Sequence, residues 1–165
     1  LEGRVVHKSV AVTELGEIII LASDNYVTDI LLPGSDYPYD NVAVFSGNRV
    51  SELAKEQIEG YFAGRVKEFD IPFEIQGTSF EKRVYNALLK VPYGTTVAYH
   101  ELAEMAGNRN AARAVGQALR KNRLPLLIPC HRVTGSNGKN IGFMGIRNNP
   151  VQKVLTELES RYRYK

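Results

Sequence analysis

A single cysteine, Cys130, stands in a chain of 165 residues. No intrachain disulfide can form, and no structural zinc cluster built from several cysteines is available. No apolar run reaches the roughly 18 residues that a membrane-spanning helix needs, so no membrane partner is expected. The first residues lack the basic, apolar and small-residue order of a secretory signal. The protein is therefore expected inside the cell, in the cytoplasm or, in a eukaryote, the nucleus. Internal repeats and low-complexity tracts are absent as well. What is present is a globular composition, 44% hydrophobic and 24% charged, with enough chain for one ordinary domain or two small ones.

Acidic residues are missing from one long stretch. Between Arg109 and Arg132 lie Arg109, Arg113, Arg120, Lys121, Arg123 and Arg132 with no Asp or Glu, although the net charge of the whole chain is only +3. The acids gather elsewhere, as at Glu52, Glu56 and Glu59. A basic face confined to one segment suits an anionic partner such as nucleic acid, while a solvated helix flank is the plain alternative.

The pattern divides near residue 77. Residues 4–32 read as short β runs, RVVHKSVAV, IIILAS and VTDILL, broken by ELGE and Asp24-Asn25. Ser51 is placed to cap a helix through ELAKEQIEGYFAG, with Leu53, Ile58 and Tyr61/Phe62 inward and Gly64 at its end. DIPFEIQG, residues 70–77, reads as an extended connector. The expectation is an α/β N-terminal domain over 1–76, a small antiparallel sheet plus helix, joined to a mainly helical C-terminal domain over 77–165. In the second part, Thr78 or Ser79 caps a helix with Phe80, Val84, Ala87 and Leu88 on one face. A helix over about Tyr99 to Ala106 turns Leu102 and Met105/Ala106 inward. The turn GNRN follows, with Asn110 as a cap, and AARAVGQALRK then buries Val115 and Leu119. Two short helices joined by a glycine-containing turn match a helix-turn-helix. Around Arg113 the residues are small: Ala111, Ala112, Ala114 and Gly116. Such a surface allows close approach to a minor groove, with one long cation free to enter the base stack, and it equally allows close helix packing.

Cys130 ends the apolar run LLIP, read as a buried extended segment, and is followed by His131 and Arg132. A buried free cysteine is usually inert, but cationic neighbours favour its thiolate. His131 would then need an acceptor on its second ring nitrogen. A final helix over about Pro150 to Arg161, with Val151, Val154, Leu155 and Leu158 as its core stripe, offers Glu159 at the stripe's edge and Glu157 as the competing choice.

The segment PYGTTVAYHELAEMAGNRNAARAVGQALRKNRLPLLIPCHRV closely resembles the O6-alkylguanine-DNA alkyltransferase family, with likeness running from about Gly77 to Val133 and more weakly to Glu159. The resemblance implies stoichiometric DNA repair. The alkyl group of O6-alkylguanine, and also of O4-alkylthymine, would pass from a flipped-out base to Cys130 and stay there, inactivating the protein. It further implies that His131 deprotonates Cys130 through a water, that Glu159 orients His131, and that Tyr99 rotates the nucleotide's phosphate and donates towards guanine N3. Arg113 would fill the gap left in the duplex, Asn122 would act as hinge, and the carbonyls of Cys130 and Val133 would accept the guanine amino group. The partner would be alkylated double-stranded DNA held by its minor groove, with the protein a monomer needing no cofactor or metal.

The loop beyond departs from the family pattern: Ile141-Gly142-Phe143-Met144-Gly145-Ile146 replaces Gly-Tyr-Ser-Gly-Gly, and RNNP looks about two residues longer than usual. Phe143 keeps a stacking surface without a hydroxyl, and Met144 brings bulk to the alkyl pocket. Three other readings stay in view: a lesion binder that flips without repair, a DNA-binding regulator sensing alkylation, and a Cys-His hydrolase. A lesion binder of this kind lacks the cysteine, nothing here encodes a regulatory module, and a hydrolase leaves the basic hairpin without a purpose.

Overall fold

The computed structural model describes residues 5–37, 42–138, 142–144 and 149–165. By contacts the chain forms two compact units, Leu1–Glu74 and Ile75–Lys165.

In the first unit, strands β1 (Val5–Thr13), β2 (Gly16–Ala22), β3 (Val27–Leu31) and β4 (Ala43–Ser46) form a sheet of order β3-β2-β1-β4. β1 pairs antiparallel with β2, and β2 with β3, but β4 lies parallel to β1, with Val5 opposite Ala43 and Lys8 opposite Ser46. The sheet is thus mixed, not purely antiparallel. The missed strand is a short, fully exposed edge, where no alternation of burial could announce it.

Helix α1 (Arg49–Phe62) begins one turn earlier than its serine suggested. Asn48 is the cap, and Ser51 sits three residues on as the return half of a capping box: Ser51 N–H donates to Asn48 Oδ1 at 2.9 Å, and Asn48 N–H to Ser51 Oγ at 3.0 Å. Its buried positions are Ser51, Ala54, Ile58, Gly60 and Tyr61, so Leu53 and Phe62 are half-buried flanks. The connector is pinned to this helix, because the Gln57 amide pairs with both the N–H and the carbonyl of Asp70.

The second unit is mainly helical: α2 (Ser79–Leu88), α3 (Tyr99–Met105), α4 (Ala112–Arg120) and α5 (Pro150–Tyr162). Thr78 caps α2 through Glu81 N–H. Side chains of α2 then hold the ends of its neighbours. Arg83 Nε donates to the Ala106 carbonyl behind α3, and the buried Tyr85 hydroxyl donates to the Ala118 carbonyl of α4 at 2.6 Å. α3 closes at Gly107, whose φ of +97° suits glycine. Met105 faces solvent and Ala106 takes the inward place. The cap of α4 is Ala111, with no side-chain bond; Asn110 does not cap, because its N–H is held by Asn108 Oδ1 in the turn before. In α5 the buried residues are Gln152, Leu155, Leu158 and Glu159, while Val151 and Val154 are only half-buried.

Like β4, a second pairing had no counterpart in the sequence reading. β5 (Val97–Ala98) pairs in parallel with β6 (Val133–Thr134). That pairing sets the residue before Tyr99 beside the segment that follows Cys130. It is the scaffold of the site.

Candidate active site

Residues 124–128 form a buried turn and not an extended run, with Leu126 at φ +75° and Ile128 N–H donating to the Leu124 carbonyl. Asn122 locks this turn: its Nδ2 donates to the Ile128 carbonyl and its Oδ1 accepts from Leu124 N–H, both at 2.9 Å. The turn delivers Cys130, the first residue of a 3₁₀ turn over Cys130–Arg132, to a cavity of about 580 Å³. Tyr99, Ala112, Arg113, Gly116, Gln117, Leu119, Arg120, Gly142, Phe143 and Met144 complete the lining. α4 therefore presents Arg113, Gly116, Gln117 and Arg120 as one helical stripe along the cavity. Ala111 and Ala114 do not reach the lining, and Ala114 is exposed.

The thiol is almost fully buried, and burial pushes it up to about 11, partly offset by the Asn122 side chain. Its cationic neighbour does not act on it as the sequence suggested. Arg132 is itself buried, and turns to the last helix: Nε donates to Glu159 Oε1 at 2.9 Å, Nη2 to Glu159 Oε2 at 3.0 Å, and Nη1 to the Val91 carbonyl at 2.8 Å. Arg132 thus leaves the basic face expected to meet DNA.

Glu159 also meets His131, whose Nε2 lies 2.7 Å from Oε2, and it accepts from Gly94 N–H at 3.0 Å. Gly94 has φ +78°, and a side chain there would collide with Arg163. Glu157 lies on the solvent side, 4.0 Å from Lys153. Burial works against the Glu159 charge, but His131 and Arg132 together outweigh it and hold the carboxyl well below its ordinary range. For His131 burial dominates, and the Arg132 charge adds to it, so the ring is held below its ordinary value despite Glu159. A neutral imidazole beside a carboxylate must donate from Nε2. Its Nδ1 is then a bare acceptor, buried and without a partner among the described residues. That is the state of a general base.

Tyr99, first residue of α3, points its hydroxyl into the cavity and donates to the Gly142 carbonyl at 2.8 Å. Burial first, and then Cys130, raise its phenol, so it stays a donor. Phe143 is buried, and its carbonyl is held by Asn149 Nδ2 at 3.0 Å. Met144 sits at φ +52°, a left-handed conformation that non-glycine residues seldom adopt. Ile141, Gly145, Ile146, Arg147 and Asn148, also weighed in the sequence, lie outside the described residues.

Val133 is buried and does not line the cavity. Its N–H donates to the Cys130 carbonyl, and its own carbonyl accepts from Gln152 Nε2 at 2.8 Å. Sequence reasoning missed Gln152, and read Arg132 as a neighbour of the thiol and part of the basic face where it is a partner of Glu159. The spacing of Gln152, Leu155 and Glu159 along α5 was the signal that could have found Gln152. Among the described residues no group of three His, Cys, Asp or Glu could hold a metal ion, and no helix is long and apolar enough to cross a membrane.

The family model for the DNA binding domain of 6-O-methylguanine DNA methyltransferase matches residues 79–161. A methylated-DNA–protein-cysteine methyltransferase of Mycobacterium leprae (strain TN) is 38% identical over 145 residues, covering 88% of this chain and 87% of that protein. The crystal structure of Mycobacterium tuberculosis O6-methylguanine methyltransferase superposes with a TM-score of 0.84 at 34% identity, over 95% of this chain and 94% of the other. A Mycobacterium tuberculosis OGT structure in complex with DNA gives a TM-score of 0.84 at 33% identity, over 94% of each chain.

Proposed function

The chain belongs to the 6-O-methylguanine DNA methyltransferase family, and from that membership we propose that it moves the alkyl group of O6-alkylguanine, and of O4-alkylthymine, from DNA onto Cys130 and is inactivated by doing so. The observation that carries this reading is the buried relay: a thiol on the cavity wall, followed in sequence by a neutral imidazole whose Nδ1 has no partner among the described residues and whose Nε2 is held by Glu159.

The chemistry balances without a cofactor. His131 Nδ1 takes the Cys130 proton through a bridging water. The thiolate sulfur attacks the alkyl carbon, the S–C bond forms, and the C–O6 bond breaks. Tyr99 donates towards guanine N3, so the base leaves neutral, and the imidazolium proton returns to the phenol through solvent. The thioether has no hydrolysable bond, so each molecule acts once. A thiol held near 11 is a poor nucleophile until the relay acts, which protects Cys130 from chance electrophiles.

A base stacked in a duplex cannot reach this cavity, so it must be flipped, at a cost of a few kcal/mol. In this reading α3, the turn and α4 act as a helix-turn-helix on the minor groove, and Ala111, Ala112, Ala114 and Gly116 let the backbone come close. Exposed Arg113 enters the vacated stack. Tyr99 turns the phosphate, Asn122 is the hinge joining α4 to the cysteine turn, and the Cys130 and Val133 carbonyls receive the guanine amino group on their remaining lone pairs. Phe143 and Met144 shape the alkyl pocket. The protein works as a monomer on DNA inside the cell.

The test is the intact mass after incubation with a duplex carrying one labelled O6-methylguanine. The expected result is one methyl per molecule, located on Cys130 and absent in Cys130→Ala. Tight lesion binding without transfer would instead identify a non-repairing binder.

A further inference from the structure

Gln152 is fully buried in α5, at 0% exposure, where an apolar residue would be the default. Its Nε2 donates to the carbonyls of His131 at 3.1 Å and Val133 at 2.8 Å. Both partners are acceptors, so the orientation of the amide is determined. Its Oε1 has no partner among the described residues. An amide kept in the core with one end unserved is kept there for the other end, the pair of N–H donors.

Gln152 and Glu159 are seven residues apart on α5, which places them on one face about 10 Å apart along the axis. The helix therefore grips the cysteine turn twice. Glu159 holds the side chains of His131 and Arg132, and Gln152 holds the main chain on either side of Arg132. The Val133 carbonyl has no competing strand partner at Ala98, whose N–H goes to Glu101 Oε1 at 2.9 Å. Gln152 is thus the group that directs this carbonyl, using one lone pair and leaving the second.

We propose that Gln152 is a positioning residue for substrate choice, fixing the Val133 carbonyl so that its second lone pair meets the 2-amino group of the flipped guanine. This rests on the reading above that the Val133 carbonyl receives that amino group. The experiment compares single-turnover transfer from duplexes carrying O6-methylguanine or O6-methylhypoxanthine, which differ only in the 2-amino group. Wild type is expected to prefer O6-methylguanine about thirtyfold, the worth of two net hydrogen bonds, one to the Cys130 carbonyl and one to that of Val133. Gln152→Met, similar in size but without a donor, lowers the ratio to about fivefold, the share left to the Cys130 carbonyl, and Gln152→Lys, which restores N–H donors, keeps the wild-type ratio. Should Gln152→Met not fold, Gln152→Glu serves as the second loss variant, its ratio recovering as falling pH protonates the carboxylate and returns a donor. A loss variant that discriminates as wild type does overturns the role of Gln152. A wild type that ignores the 2-amino group overturns the Val133 reading, and the proposal falls with it.

Discussion

Arg132 and Glu159 form a two-pronged ion pair in the core of the second unit, Nε to Oε1 at 2.9 Å and Nη2 to Oε2 at 3.0 Å. A lone carboxylate beside His131 would draw a proton onto the ring. Burial is the larger cause and the guanidinium offsets part of that charge, so the ring stays neutral, with Nδ1 unpartnered among the described residues. The pair that looks structural thereby adds to burial in holding the protonation state that the proposed base requires.

Arg132→Met should show this directly. Removing one partner of a buried pair leaves an uncompensated charge, a loss of about 3–5 kcal/mol in urea unfolding. The pH profile of transfer reads the second effect. With Glu159 no longer shared, His131 rises, and the acidic limb of the rate profile moves to higher pH. A limb that stays in place would separate Arg132 from the protonation of His131.

Stability should fall on both sides of neutrality. The unfolded thiol ionises near its ordinary 9.0, whereas the folded one holds its proton to about 11. Stability is full below 9 and is lost as pH rises through that window, by roughly 2–3 kcal/mol at about 1.4 kcal/mol per unit. His131 and Glu159 are shifted the other way, both below their ordinary 6.5 and 4.5. Their contribution is present above those values and is lost as pH falls below each in turn. Melting Cys130→Ala at pH 7.5 and 10.5 checks the alkaline limb, which should be flatter than in wild type.

Much of the site was legible because it is contiguous. Cys130 and His131 are neighbours, and the small-residue run around Arg113 announces itself. Glu159 could be placed beside Glu157 only as a choice between two exposures of one helix, and the pairing with His131 is a tertiary fact. Arg132 was hidden by its own context, since a basic residue at the end of a basic run reads as more of the same face. Gln152 was hidden because a lone glutamine in a helix reads as solvated. β4 and the β5–β6 pair are too short or too exposed for periodicity to mark, and their pairing depends on partners far away in the chain.

Arg113 is exposed on α4 at the cavity, so its removal should leave the fold intact. Arg113→Ala should reduce transfer from duplex DNA about a hundredfold while changing transfer from the free O6-methylguanine base little. Only about one unit should be lost from the slope of log affinity against log salt, since one cation is gone. Equal losses on duplex and free base would remove Arg113 from base extrusion.

Met144 combines a place on the cavity wall with φ +52°. For a non-glycine residue that conformation costs on the order of 1 kcal/mol, and such strain persists where the surroundings impose it. Here the preceding carbonyl, that of Phe143, is held by the Asn149 side chain, which also caps α5 through Val151 N–H. The wall is thus tied to the helix that carries Glu159, and the carbonyl preceding Met144 is held in place. Met144→Gly removes the strain and the side chain together. It should keep its melting temperature within a few degrees and transfer a benzyl group faster relative to methyl, by roughly tenfold, as expected for apolar bulk removed from a pocket. An unchanged benzyl-to-methyl ratio in matched single-turnover assays would show that adduct size is read elsewhere in the cavity.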